Sequence, residues 1–371
     1  MANSVAVTMP TPFERFLLGS TEAVVDKFFS TWTADSILRL RRLNSNFLLA
    51  VEAYTTRVWS VDQTFDRWFL DIDAFLDVLD ECEGIIAGSE GQQHFARHEF
   101  RGKDLDVYVP SHGLLKMGRY LKGNGFHYQS SGGKHVLFDA AAVLFSAATI
   151  RDRDLAGREI FGSPSPNTYS AFNFYRNSEN NIFRVLNMDG YRIQLIAVHG
   201  DPVQFLLYHF HSSKLSFEGY LSALTFSVTA GVMNYITGKY AVSLFPHHTF
   251  IRREMFLCQD TTRNAAAHQA WVVKYKGRGY TVIGPTDRIT STREIRAWER
   301  TVGDKFTWVL PHHRSGTSQD PLTQALLTIG VVIPGKLKIV IPPVRFEVLP
   351  ARCGVAAAGA ALRVGPPFIY R

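Results

Sequence analysis

Asp104 and Asp106 are the residues of this chain best suited to chemistry, set one position apart in Asp104-Leu105-Asp106-Val107-Tyr108-Val109. Alternation along an extended strand puts both carboxylates on one face and Leu105 and Val107 on the other. Two aligned carboxylates make a hard oxygen site suited to Mg²⁺. Upstream, Gly84-Ile85-Ile86-Ala87-Gly88-Ser89 reads as a buried strand running into a glycine turn, and residues 90–97 read as the helix that follows. Backbone N–H groups and the Ser89 hydroxyl then stand at a helix N-terminus, where unpaired donors and the helix dipole favour an anion such as phosphate.

Positioning these groups requires a sheet. A polar turn over residues 100–103 leads into the Asp104 strand, and a hairpin is expected from Ile182–Leu186, a turn at Asn187–Gly190 and a return over Arg192–Val198. Helices come before the sheet. Val24, Val25, Phe28, Phe29 and Trp32 share one helical stripe, and Asp35 is placed to cap the next helix, which carries Ile37, Leu38 and Leu40. Leu43, Phe47, Leu48 and Val51 continue the pattern, with Arg39, Arg41 and Arg42 interleaved. Residues 62–81 read as one acidic helix whose aspartates form a solvated face. Towards the C-terminus, residues 250–255 suggest a charged helix edge, and 270–275 and 280–283 two strands around Gly277–Gly279. His247-His248 and His312-His313 read as surface residues, because adjacent histidines on a strand point to opposite faces.

The chain has 371 residues, 46% hydrophobic and 20% charged, which implies a buried core and about two or three packed units. Three scattered cysteines, Cys82, Cys258 and Cys353, exclude a disulfide framework or a four-ligand zinc site and suggest a reducing compartment, cytoplasmic or nuclear. Residues 1–13 carry no basic segment followed by an apolar run, so no secretory signal is expected. The apolar stretch 215–236 is interrupted by Glu218 and many small polar residues, so no membrane span is expected either. Charge is uneven: seven cations face twelve acids up to residue 81, whereas twenty face ten from residue 201 onward. The C-terminal cations are dispersed, which favours a solvated basic surface over a nucleic-acid site. Neither a Gly-x-Ser-x-Gly elbow nor a P-loop is present.

A strand, Gly-Ser, a helix and an Asp-x-Asp strand in this order resemble the opening of the nucleotidyltransferase fold. The resemblance implies that Gly88 and Ser89 hold the phosphates of a nucleoside triphosphate. It also implies that Asp104 and Asp106, with a third carboxylate on a neighbouring strand, hold two Mg²⁺ ions that activate the attacking hydroxyl and stabilise the leaving pyrophosphate. In Ile193-Gln194-Leu195-Ile196 the slot of that third carboxylate holds Gln194, a neutral and poorer ligand for Mg²⁺. Asp139, Asp189 or Asp201 would replace it only if the fold brought one beside Asp104. A degenerate nucleotidyltransferase-like module is therefore expected, catalytically impaired and acting through nucleotide or protein binding. The alternative is an active Mg²⁺-dependent nucleotidyltransferase with Asp104 and Asp106 catalytic.

The helical start, over about 45 residues, resembles an F-box, although Leu17-Leu18-Gly19-Ser20 lacks the usual proline. That resemblance implies docking on the Skp adaptor of a cullin-RING ligase, and so a further alternative, a ubiquitin-ligase substrate receptor. From about Thr21 to His248 the chain is similar to an uncharacterised fungal family. That family joins an F-box-like start to a Gly-Ser…Asp-Leu-Asp-x-Tyr-Val segment, an Ile-Gln-Leu-Ile strand, a Met-Asn pair (here Met233-Asn234) and Ser-Leu-Tyr/Phe-Pro (here Ser243-Leu244-Phe245-Pro246). Relatives run His-Ser-Thr without interruption, whereas 16 residues separate Ser212 from Thr229 here, so 213–228 is expected to be an insertion. The expected fold is α+β: a flexible lead (1–20), an F-box-like helical segment (21–81), a nucleotidyltransferase-like mixed sheet (82–248), a mixed α/β extension (249–310) and a poorly ordered tail (311–371), the C-terminal part being basic.

Overall fold

The structure, a computed structural model, describes residues 9–97, 104–129, 137–147, 150–153, 159–162, 169–176, 191–209, 230–256, 265–283, 299–304, 306–312, 345–349 and 361–364. The turn at 100–103, the strand at 182–186 with its turn at 187–190, and the insertion at 213–228 lie outside these residues. The chain is mixed α+β, with helices preceding and flanking one large sheet.

Four helices open it: α1 (Pro12–Gly19), α2 (Glu22–Ser30), α3 (Ala34–Leu40) and α4 (Ser45–Val58). The first falls where a flexible lead is expected. It forms because Thr11 and Glu14 make a reciprocal capping box and proline starts the helix. Glu14 is buried and accepts from the side-chain amides of Asn44 (2.8 Å) and Asn46 (3.2 Å), tying α1 to the start of α4. Asp35 is not the cap of α3. Thr33 is, accepting the Ser36 N–H at 3.2 Å from an extended backbone and leaving Asp35 inside the helix. Leu17, Val25, Phe29, Ile37, Phe47 and Tyr54 belong to a core confined to these four helices.

Residues 62–81 form two helices, α5 (Val61–Phe65) and α6 (Ile72–Glu81), where one is expected. Asp71 restarts the helix by accepting the Ala74 N–H at 2.8 Å. The intervening bend buries Trp68 and Phe69 together and leaves Leu70 fully exposed. Phe65, Trp68, Phe75, Leu76 and Leu79 pack into the core of the sheet, apart from that of α1–α4.

The remaining elements, in chain order, are β1 (Ile85–Ala87), α7 (Gly88–Ala96), β2 (Asp104–Pro110), α8 (Ser111–Gly123), β3 (His127–Gln129), α9 (Phe138–Ser146), β4 (Ile150–Arg153), β5 (Glu159–Gly162), β6 (Tyr169–Arg176), β7 (Tyr191–Val198), α10 (Pro202–His209), β8 (Asn234–Ile236), β9 (Tyr240–Ser243), a π-helical turn (His247–Arg252), β10 (Glu254–Phe256), α11 (Ala265–Gly277), β11 (Thr281–Ile283), β12 (Glu299–Thr301), β13 (Trp308–Pro311), β14 (Arg345–Leu349) and β15 (Ala361–Val364). Eight strands make the main sheet in the order β13-β9-β8-β1-β2-β7-β6-β3. β1 and β2 are antiparallel, β2 and β7 parallel, and β7 and β6 antiparallel. The antiparallel neighbour of β7 is thus β6 rather than 182–186. Phe172 and Phe174 alternate inward along it with the period a strand demands.

The sheet divides the interior. Leu105, Val107, Val109, Ile193 and Leu195 pack with side chains of α5, α6, α8 and α9. The opposite face buries Ile85, Ala87, Tyr108, Ile196 and Val198 with α10, Tyr275 and Tyr280.

Residues 270–275 lie within α11 and not in a strand. Ala265-Ala266-Ala267 favours helix, and Gly279 at φ +79° closes it with the Tyr280 N–H returned to the Tyr275 carbonyl at 3.1 Å. β14 and β15 fall in the expected tail, where β14 pairs with β15 on one side and with β12 on the other. Arg345-Phe346-Glu347-Val348-Leu349 has the alternation that makes a strand, although prolines precede it. His248 and His312 are buried rather than superficial: His248 Nδ1 lies 2.9 Å from Glu254 Oε2, and His312 Nε2 lies 2.8 Å from the Thr237 carbonyl oxygen. No helix among the described residues is long and apolar enough to cross a membrane.

Candidate functional site

β1 is buried at all three positions and ends where Gly88 turns to φ +73° to start α7. Ala87 is the antiparallel register partner of Asp106. A Cβ on Gly88 would fall 2.5 Å from Asp106 Oδ2, so only glycine combines this backbone angle with so close a carboxylate. Ser89, partly buried, is the second residue of α7. The glycine bend and the second aspartate are therefore in contact.

Parallel pairing places Arg192 beside Asp104 and Gln194 beside Asp106. Alternation keeps all four side chains on one face of the sheet, since Leu105, Ile193 and Leu195 pack on the other. Arg192 grips Asp104 with two prongs, Nε to Oδ1 and Nη2 to Oδ2, each 3.0 Å. Gln194 donates from Nε2 to Asn173 Oδ1 at 3.3 Å, and Asn173 is its register partner on β6.

Burial, reinforced by the charge of Asp104, raises the Asp106 carboxyl to about 6, although Arg192 and Lys274 pull it down. Glu90, in the first turn of α7, is 1% exposed and ion-paired with Arg67, while its Oε2 has no hydrogen-bond partner. Burial pushes its carboxyl up to about 7 against the pull of Arg67. Near the end of α11, Lys274 has its ammonium lowered by burial and by Arg278, with Asp106 and Asp104 opposing. Arg278 reaches α7, donating from Nη1 to Gln92 Oε1 at 3.4 Å, and its guanidinium lies 5.1 Å from the centre of the Tyr275 ring.

This chain matches no protein-family model, no curated protein and no solved structure. The chemistry of the site has to be read from its own donors.

Those donors do not fit a pair of Mg²⁺ ions. Both Asp104 oxygens are engaged by Arg192, Gln194 is neutral and tied to Asn173, and Asp106 holds its proton more tightly than an ordinary aspartate. Asp139 is bonded to Arg119 at 3.0 Å on α9, a helix that packs on the opposite sheet face, and Asp201 caps α10 through the N–H groups of Val203 (2.7 Å) and Gln204 (2.9 Å). Asp189 lies outside the described residues. The third carboxylate that interacts with Asp106 is instead Glu90, which Arg67 holds. Among the described residues no three His, Cys, Asp or Glu side chains gather as a metal cluster.

The sequence-predicted residues Gly88, Ser89, Asp104, Asp106 and Gln194 thus converge on one end of β1, β2 and β7. Arg192, Glu90 and Lys274 escape sequence reasoning. A signal exists for the first two: Arg192 precedes Gln194 by one strand period, and Glu90 directly follows the Gly-Ser turn. Lys274 has none while its segment is taken for a strand.

Proposed function

We propose that the chain carries a nucleotidyltransferase-like, nucleotide-binding module in which metal-dependent transfer is impaired. The observation that carries this is the register of three strands, with Asp106 packed over Gly88 and Gln194 standing beside Asp106. The first contact supports a phosphate cradle at the start of α7. The second removes one negative charge from a site that would otherwise hold two dications. Calorimetric titration with ATP, beside an assay for transfer of labelled nucleotide, tests the proposal. Heat of binding without transfer is the expected result. Mg²⁺-dependent transfer would favour an active nucleotidyltransferase instead, and no heat at millimolar ATP would remove nucleotide binding altogether.

A second reading concerns α1–α4, whose separate core and outward Phe16, Leu18, Val24, Leu43 and Leu49 support an F-box-like docking role. Co-purification with the Skp adaptor, lost on Phe28→Asp, is the expected result; absence of any complex would discard it.

A further inference from the structure

We infer that cations of the protein itself, Arg192 and Lys274, stand in for the divalent metal, so that this site takes the polyphosphate of a nucleotide as a metal-free anion. The inference rests on the nucleotide-binding proposal above and adds how the charge of the ligand is met.

Arg192 already occupies the place a cation would take on Asp104, with both carboxylate oxygens at 3.0 Å from its nitrogens. A dication would have to break this clasp before gaining a ligand. Lys274 lies in the last turn of α11, and Arg278 is the first residue beyond it, in the turn that closes the helix. Arg278 is anchored to Gln92 of α7, which fixes that turn against the helix opened by Gly88 and Ser89. From there Lys274, exposed as a residue although its ammonium is partly desolvated, feels the charges of both Asp104 and Asp106.

Charge counting points the same way. Around Asp104, Asp106 and Glu90 the described residues place Arg67, Arg192, Lys274 and Arg278, so the balance stays positive even with every carboxylate ionised. Such a field repels a dication and attracts a polyanion. One buried donor beside Arg278 also lacks a protein acceptor, Arg253 Nε. Arg253 lies against the same turn, donating from Nη2 to the Arg278 carbonyl at 3.1 Å and stacking 5.2 Å from the centre of the Tyr280 ring. A native interior rarely leaves donors unmet, and phosphate oxygens are acceptors of the required kind. Lys supplies a point charge and Arg a planar fork, the two usual ways of holding phosphate without metal.

The test is calorimetric titration of the full chain with ATP, in EDTA and again in excess Mg²⁺, followed by competition with pyrophosphate. Expected are an affinity in EDTA at least equal to that in Mg²⁺, displacement of ATP by pyrophosphate, a tenfold or greater loss in Lys274→Glu, and recovery in Lys274→Arg. Lys274 is exposed, so these variants should fold. Asp106→Asn should bind at least as well as the unaltered protein. Binding only in Mg²⁺ would overturn the inference while leaving nucleotide binding intact. So would unaltered affinity in Lys274→Glu, or failure of pyrophosphate to compete. No ATP binding in either buffer would overturn both.

Discussion

At the end of β2 and β7 where Asp104 and Arg192 stand, the two faces are made by the same alternation yet carry opposite kinds of residue, although farther along Tyr108, Ile196 and Val198 make the second face apolar too. On one face Leu105, Val107, Val109, Ile193 and Leu195 are completely buried beneath helices. On the other, at the same end of the same strands, stand Asp104, Asp106, Arg192 and Gln194, with cations from α11 nearby. The contrast separates what builds the sheet from what it presents. Stability should depend on the first set and ligand binding on the second.

The largest effect is expected from the apolar face. Leu105→Ala should lower unfolding free energy by about 2–5 kcal/mol, read from denaturant melts with unchanged slope, since a close-packed core collapses only partly around the lost atoms. Asp104→Ala, one residue away, should cost under about 1 kcal/mol because its ion pair is exposed. Equal losses would erase the distinction between the faces.

Arg67→Ala comes next. It strands Glu90 in the interior and should cost about 3 kcal/mol at pH 8. The loss should shrink as the pH falls towards about 7 and level off below it, because without Arg67 the Glu90 carboxyl takes up its proton at still higher pH. A pH-independent loss would mean that Glu90 is not the group responsible.

Titration offers a finer contrast. The raised carboxyl of Asp106 keeps its proton longer in the folded than in the unfolded chain. Its contribution to stability is therefore present at low pH and is lost as the pH rises from the ordinary aspartate value of 3.8 through about 6. Asp106→Asn should abolish that slope and stabilise the protein at pH 7–8 by on the order of 2 kcal/mol. His94 behaves oppositely. Buried and bonded to Thr64 Oγ1 at 2.8 Å, it is lowered to about 4 by burial, so its contribution fades as the pH falls from 6.5 towards 4. His94→Gln should flatten the acid side of the profile. The smallest effect is expected from Arg192→Ala with Gln194→Asp, which frees Asp104 and restores a carboxylate. Thermal melts should show a stabilisation by Mn²⁺ that the parent lacks, of a few tenths to about 1 kcal/mol at millimolar metal.

Much of the site is legible in the sequence because its determinants are local. The period of two aligns Asp104 with Asp106, the glycine before Ser89 marks a turn, and the nucleotidyltransferase resemblance gives Gln194 the slot of the third carboxylate, which the strand register then sets beside Asp106. Partners across the fold are less legible. Lys274 reaches the site only because its segment is helical, and a run containing Trp271-Val272-Val273 suits a strand as readily until the alanines ahead of it and Gly279 behind it are weighed. The break between α5 and α6 was hidden by an unbroken apolar period. Asp71 as a cap outweighs that period, because capping a new helix lets Trp68 and Phe69 both point inward. Strand β14 was obscured by the prolines ahead of it.

The central claim, that the polar end of β1, β2 and β7 with the first turn of α7 is a nucleotide site, is met most directly by hydrogen exchange with and without saturating ATP. Slowed exchange confined to the amides of 88–92, 104–107 and 191–195, with α1–α4 unaltered, is the predicted result. Protection of α1–α4 alone, or bound ATP that leaves those three segments unprotected, would contradict it.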